Sequence, residues 1–355
     1  MAAASTNASC SAASGSCSLT LNTTGSRTVT ATYSGDANYA VSSKSTTVNV
    51  SGTPTTTIVT SSTGGASVWG HGVIFTATVT SGSGTPTGSV SFYDGGGSCP
   101  GSSALATNVA LDGSGQASTP SITSLSVAAH TIRACYTPSG SFSASSSTVG
   151  QTVSKASTTA AIGTVTPSTT VVGQSYSVGV SVTVNSPGAG TPTGNVNISD
   201  GTGGACTVVL PGASSCSLTS TSAGGKTLVA TYVGDGNFNG DVSPGTSHTV
   251  NQASTTTAIT SDLSAATTTA DPITVNYKVS VASSGAGTPT GSVTVALDAL
   301  GGGENCTGTV AVGGTGTCTI SAPINAGART VTATYGGDAN FAGSASSAVP
   351  HTVTP

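Results

Sequence analysis

Asp36 with Asn38, Asp235 with Asn237, and Asp338 with Asn340 occupy three copies of a Gly-Asp-x-Asn segment. Each copy sets a carboxylate and an amide oxygen two residues apart. Such oxygens suit a hard cation such as calcium, which gathers roughly six to eight of them. Asp and Asn also bond their own backbone in tight turns between strands. One carboxylate per loop is thin for calcium, so the turn is the expected role and no metal site is assigned.

The eight cysteines pair off along the chain as Cys10/Cys17, Cys99/Cys135, Cys206/Cys216 and Cys306/Cys318. None lies in a Cys-x-x-Cys pair, and no His stands at zinc-finger spacing from a pair. An even count spread in this way reads as four disulfides formed in an oxidising compartment, extracellular or at the cell surface. Cys10/Cys17 and Cys206/Cys216 bracket short turn segments and read as staples across hairpins. Cys135 directly precedes Tyr136, where the counterparts of that position are Thr32, Thr231 and Thr334. Its bridge must therefore join different strands, and Cys135 is expected to face away from the core.

Catalysis has little material. Glu304 is the one glutamate, so no pair of glutamates can share acid and base roles. His248 and His351 recur before Thr-Val and His130 fills a slot used elsewhere by Arg or Lys, which marks them as framework; His71 alone is idiosyncratic. No Gly-x-Ser-x-Gly elbow occurs. The glycine-rich segment 82–88 runs from strand to strand, whereas a phosphate cradle opens a helix. No catalytic, cofactor-binding or metal-binding residue is assigned, and no cofactor is expected. Sugar binding would need exposed rings. Phe75, Phe92, Tyr176 and Tyr277 lie on apolar strand faces, and most other rings belong to a repeated motif. Trp69 and Tyr93 are left as the candidate glycan contacts.

The elements that position these residues are copied along the chain. Tyr33, Tyr136, Tyr232 and Tyr335 each follow a basic residue by six positions (Arg27, His130, Lys226, Arg329) and precede an aromatic by six (Tyr39, Phe142, Phe238, Phe341). Gly-Thr-Pro-Thr-Gly recurs at 84–88, 190–194 and 287–291. The period is about a hundred residues, a whole domain, unlike the shorter repeats of solenoids. Units are expected at 52–154, 155–252 and 253–355. Residues 1–51 carry only the second half of the pattern, a cysteine pair followed by the tyrosine segment, so the chain is expected to begin inside a domain. Val29, Ala31 and Tyr33 would then have an uncovered apolar face. The half domain is expected either to belong to a longer array or to be completed in trans by strand addition.

Within a unit the apolar residues alternate. Ile273, Val275, Tyr277, Val279 and Val281 have counterparts in Val73, Phe75, Ala77 and Val79, and in Tyr176, Val178, Val180, Val182 and Val184. That period marks strands with one buried face. Val29, Ala31 and Tyr33 set the tyrosine strand's inner face, repeated by Val331, Ala333 and Tyr335. About seven such strands per unit, with turn clusters between them, give an all-β fold of tandem Ig-like sandwiches, beads on a string.

The motifs resemble the bacterial Ig-like group 3 repeat: Thr-Pro-Thr-Gly-x-Val, then a basic residue, then Ala-x-Tyr-x-Gly-Asp-x-Asn-Phe/Tyr. The likeness spans three units and the half unit. The unit at 52–154 departs from it, reading Tyr-Thr-Pro-Ser-Gly-Ser-Phe at 136–142 without the Asp or the Asn. The resemblance implies tandem extracellular modules of large secreted or surface proteins, generally non-catalytic. A stalk or spacer, adhesin-like or fibre-forming, is the expected function, with neighbouring repeats of the same or an adjacent chain as partners. Two alternatives are a carbohydrate-binding accessory module that contacts surface glycans, and a filament subunit completed in trans. Composition limits other partners. Seven Lys plus Arg and a net charge of −4 leave no basic surface for nucleic acid. No apolar run approaches the ~20 residues of a membrane-spanning helix. Residues 1–14 lack the basic start and apolar stretch of a signal peptide.

Overall fold

The computed structural model describes residues 9, 11, 15–21, 24–298 and 303–355. Every helix or strand among them is a strand, in keeping with the Val, Thr and Gly that dominate the sequence. Two compact units form, one of residues 1–156 with 186–190, the other of 157–185 with 191–355.

The second unit holds two sandwiches. In the last, Ile273–Val281 buries Ile273, Val275, Tyr277 and Val279 and exposes the residues between them. It is the middle of a three-stranded sheet, between Thr255–Ile259 and Thr315–Ile320. Facing it is a larger sheet in the order Thr267–Thr268, Val349–Thr354, Gly327–Tyr335, Ser292–Leu297, Asn305–Thr309, with Ser344–Ala345 also on the tyrosine strand. Val331, Ala333 and Tyr335 point into the shared core, at no more than 1% exposure. Burying a side chain such as Val331 contributes about 1.5–3 kcal/mol. The middle sandwich repeats this plan: Thr158–Thr166, Ser175–Val184 and Ser215–Thr219 face a sheet centred on Gly224–Tyr232.

The two sandwiches of this unit meet through specific contacts. Ala223 N–H donates to Asn340 Oδ1 (2.9 Å), and Ala286 N–H to Val172 O (3.1 Å). Val172 and Val250, from the middle repeat, join the core of the last. Gly173 has φ +78°, and a Cβ there would collide with the Ala286 backbone, so glycine permits the approach. The linker is strapped down too, since Ala253 N–H donates to Asn340 O (2.9 Å).

The first unit holds one sandwich and a hairpin. Thr56–Ser61, Phe75–Thr80 and Gln116–Ser118 face the sheet Ala66–Val68, Ser145–Ser154, Ala129–Pro138, Gly88–Asp94, Ser103–Ala110. Strand counts exceed seven because, in the second unit, a short extra strand joins each tyrosine strand, and because the first strand of each sandwich switches sheets. Its opening stretch belongs to the three-stranded sheet, and its short continuation pairs parallel to the last strand, as Ala66–Val68 does with Thr152–Ser154. The hairpin pairs Gly25–Tyr33 with Ser42–Val50 over its whole length. Tyr33 is 43% exposed there, against 2% or less for Tyr136, Tyr232 and Tyr335.

Candidate functional site

The two repeated motifs, far apart in sequence, bind each other. In the middle repeat Asp235 Oδ1 accepts the backbone N–H of Asn237 and Phe238 (both 2.8 Å), which closes the turn. Its Oδ2 accepts the N–H of Thr193 (2.8 Å) and the Thr193 hydroxyl (2.6 Å), from the second threonine of Gly-Thr-Pro-Thr-Gly. Tyr232 completes the latch, its hydroxyl donating to Thr193 O at 2.9 Å. Asp338 repeats the aspartate contacts, with both Oδ2 bonds to Thr290 at 2.7 Å and Oδ1 on the Asn340 and Phe341 N–H, whereas the Tyr335 hydroxyl makes no bond. Burial works to raise the Asp235 carboxyl, but the bonds from Thr193, Asn237 and Phe238 outweigh it and hold it at about 2. Burial, with the Asp235 charge adding to it, pushes Tyr232 up to about 12. Both oxygens of each carboxylate are therefore engaged by the chain's own donors, and Asn340 supplies its amide oxygen to the preceding repeat.

The divergent repeat keeps the latch without the acid. Ser139 stands where Asp235 does relative to the tyrosine, and it bonds the same threonine. Its N–H donates to Thr87 O (2.9 Å) and its hydroxyl to Thr87 Oγ1 (3.0 Å), while Tyr136 OH donates to Thr87 O (2.6 Å).

The basic residue before each tyrosine folds back on the loop that precedes its strand. Arg329 is buried; Nη1 donates to Asn325 O (3.0 Å), Nε to Asp298 Oδ1 (2.8 Å) and Nη2 to Glu304 Oε2 (2.9 Å). Those bonds from Arg329 hold the Asp298 and Glu304 carboxyls below their ordinary values. His130 does the same with Ser126 O (2.9 Å) and Asp94 (2.8 Å), and Lys226 with the Ser222 hydroxyl (2.6 Å). His248 and His351 bond Thr170 and Thr267 (both 2.9 Å), tying the last strand to the short first-strand segment. Glu304 is thus a partner of Arg329 and not a lone acid.

One buried polar chain had no signal in the sequence. Asp200 accepts from the Ser220 hydroxyl (2.6 Å), which meets Tyr176 OH (2.9 Å), and Tyr176 stacks on His248 at 4.2 Å between centroids. The acid takes the serine hydroxyl directly and the histidine lies against the tyrosine face, so the chain does not form a serine–histidine–aspartate relay. These four side chains are at most 3% exposed and bridge the two sheets. Burial lowers the His248 imidazole and raises the Tyr176 phenol, which keeps both neutral at pH 7.

The disulfides close sandwiches, not hairpins. Cys206 lies on Ala205–Leu210 and Cys216 on Ser215–Thr219, edge strands of opposite sheets, and Cys306–Cys318 repeats this. The expectation of a hairpin staple is corrected: a short turn carries the chain from one sheet to the other. Cys99–Cys135 pins the 95–102 loop over the outer face of its sheet, so Cys135 points away from the core yet is buried. The same loop overturns Tyr93 as an exposed glycan contact. Tyr93 is only 8% exposed, and a Cβ on Gly101 would come within 2.8 Å of its own Cβ. Trp69 is half-buried beside the edge segment Ala66–Val68, three strand spacings from Gly88–Asp94, so on the order of 14 Å separates the pair. The expected Cys10–Cys17 bridge involves Cys10, which lies outside the described residues.

The model of the bacterial Ig-like domain (group 3) matches residues 59–154, 163–251 and 259–354, well over half of the sequence. The chain belongs to the bacterial Ig-like group 3 family. No curated protein sequence matches it. Among solved structures it is similar to a tetra-tandem repeat from the extending region of a large adhesion protein, at 17% identity and TM-score 0.46, covering 93% of this chain and 82% of that one. It is also similar to the Escherichia coli adhesin FdeC, at 14% identity, TM-score 0.29 and coverage of 84% and 97%. Invasin, a bacterial integrin-binding protein, gives 13% identity, TM-score 0.37 and coverage of 79% and 56%.

Within these group 3 repeats the only reading that could have foreseen the latch is the joint presence of both motifs. Wherever Gly-Asp-x-Asn occurs in a full unit, Gly-Thr-Pro-Thr-Gly precedes it. A cleft of about 370 Å³ lies at the junction inside the second unit, lined by Val172, Ala286, Asn340, Phe341 and threonines. No titratable group lines it. Among the described residues no three His, Cys, Asp or Glu side chains gather as a metal-ligand set.

Proposed function

We propose that this chain is a non-catalytic stalk or spacer segment of a large secreted or cell-surface repeat protein, adhesin-like or fibre-forming. Its partners are neighbouring group 3 repeats. The observation that carries this is the junction inside the second unit. Asn340, on a motif that recurs between repeats, bonds both the preceding sandwich and the linker, and Val172 and Val250 enter the next core. A module built to occupy length must pass load to its neighbour through such contacts. Disulfides in all three sandwiches favour an oxidising, extracellular setting.

Single-molecule stretching of the full chain tests it. Three separate unfolding peaks are expected, one per sandwich. An extended residue spans ~3.6 Å, so the 36-residue Cys99–Cys135 separation withholds about 130 Å, whereas separations of 10 and 12 withhold about 40 Å. One peak should therefore release about 90 Å less chain than the other two, and reductant should abolish the difference. Smooth low-force extension without peaks would refute a load-bearing role.

A further inference from the structure

We propose that the middle repeat is an acid-released bead: in mildly acidic surroundings protonation at His248 opens this sandwich while the last one stays closed. Both repeats set a framework histidine directly across from the basic residue of the tyrosine strand, Lys226↔His248 in one and Arg329↔His351 in the other. All four side chains are buried. Residues opposite each other on adjacent strands lie within ~5.5 Å at Cβ, close enough for like charges to repel. The compensation differs. Arg329 bonds two carboxylates, Asp298 at 2.8 Å and Glu304 at 2.9 Å, so a proton on His351 meets a cation already neutralised. Lys226 Nζ has the Ser222 hydroxyl at 2.6 Å, and among the described residues no carboxylate lies within ion-pair reach of it. A proton on His248 therefore adds a second positive charge beside one that no ion pair offsets.

The bonds of the two rings differ in the same sense. A charged imidazole donates from both nitrogens and needs an acceptor at each. His351 Nδ1 donates to Leu263 O at 2.9 Å, and its Nε2 meets the Thr267 hydroxyl at 2.9 Å. His248 keeps the second contact, with the Thr170 hydroxyl at 2.9 Å, but its Nδ1 is buried without a well-formed hydrogen bond. Its other neighbours are Tyr176, stacked on the ring at 4.2 Å, and beyond Tyr176 the Ser220 hydroxyl and Asp200. The tyrosine face and the Asp200 charge favour an imidazolium. Asp200, however, is already engaged by Ser220 (2.6 Å) and by the N–H of Thr202 (2.8 Å) and Gly204 (2.9 Å). Burial prevails: it lowers the His248 imidazole, and the Ser168 carbonyl offsets it only in part.

Unfolded, the ring takes a proton at its ordinary value of 6.5; folded, it does so only at lower pH. Between those two values opening binds one proton. The open state is then favoured by up to about tenfold per pH unit as the pH falls, and the effect levels off once the folded ring is charged as well. His248 is the sole histidine of the middle repeat, and the Asp235 latch, held at about 2, stays ionised down to pH 5. The release is a property of the sandwich and does not depend on the stalk role.

Native-state hydrogen exchange of the full 355-residue chain from pH 7.5 to 5, corrected for the intrinsic rate of each amide, tests it. Opening at Leu228, Ala230 and Tyr232 should rise about tenfold, while that at Val331, Ala333 and Tyr335 should change less than about threefold. His248→Gln should flatten the profile of the middle repeat; Gln151 holds the matching place across from His130 in the first repeat, so the fold accepts it. Lys226→Met deletes the ammonium and should cut the rise by about threefold. Where His248→Gln does not fold, NMR titration of the His248 ring in the unaltered chain decides. A ring that protonates in the folded chain at or above 6.5, equal rises in both repeats, or a rise that survives both substitutions would overturn the proposal.

Discussion

Asp235→Asn isolates the latch. The amide oxygen can keep the two turn bonds to Asn237 and Phe238, but the amide nitrogen cannot accept the N–H and hydroxyl of Thr193. Two bonds to a charged acceptor, at the low end of about 1.5 kcal/mol each for a water-exposed turn, come to about 3 kcal/mol. The carboxyl, which falls from 3.8 to about 2, reports the same Thr193 bonds together with the turn bonds. At ~1.4 kcal/mol per pH unit that is on the order of 2 kcal/mol, trimmed to about 1–2 because water reaches the turn. The expected loss at pH 7 is therefore about 2 kcal/mol, which lowers the urea midpoint of the middle repeat by about 1 M. Because the folded value lies below the unfolded one, this stabilisation is complete above about pH 4 and fades as pH falls through about 2. Pulse proteolysis in urea, with thermolysin at pH 7 and pepsin at pH 2, followed by peptide mapping, reads the middle repeat separately from its neighbours. Equal midpoints at pH 7, or an undiminished gap at pH 2, would refute the reasoning.

Two further substitutions probe the surrounding framework. Arg329→Ala removes the buried guanidinium that Asp298 and Glu304 share and should lower the stability of the last repeat. Arg329→Lys should recover only part of that, since one ammonium cannot make the forked contacts, and both carboxyls should titrate nearer their ordinary values by NMR. Asn340→Ala should leave each sandwich intact but take away the acceptor of the half-buried Ala223 N–H, at about 1 kcal/mol; faster exchange at the Ala223 amide with unchanged protection in Ile273–Val281 would report it.

The repeat itself made the fold legible. Strict alternation at Ile273–Val281 placed its buried residues correctly, because a side-chain period of two admits one buried face. Val182, Val184 and Val281, toward the ends of their strands, are only half-buried. Positions that depended on loops were less readable. Tyr93 alternates outward as expected, yet the pinned loop covers it, and nothing in a strand pattern announces where a loop will lie. The Cys206–Cys216 bridge carried the same ambiguity: a ten-residue interval serves a hairpin or a passage between sheets equally well. The latch joined residues some forty positions apart, a pairing that only the third dimension decides. His130, His248 and His351, by contrast, were readable as framework because copies at matching places must serve what the copies share.

The switch of each first strand between sheets has a mechanical consequence. Thr169–Val171 and Thr267–Thr268 lie parallel to the last strands of their own sandwiches, Thr246–Asn251 and Val349–Thr354, as Ala66–Val68 does to Ser145–Ser154. Tension that enters at the start of a repeat and leaves at its end therefore runs along these two neighbouring strands in opposite senses. Their hydrogen bonds lie across that line and are sheared as a group, whereas an antiparallel terminal pair would peel one bond at a time. Short as they are, these parallel segments act as the clasp of each bead, and the His248–Thr170 and His351–Thr267 bonds rivet the clasp from the side.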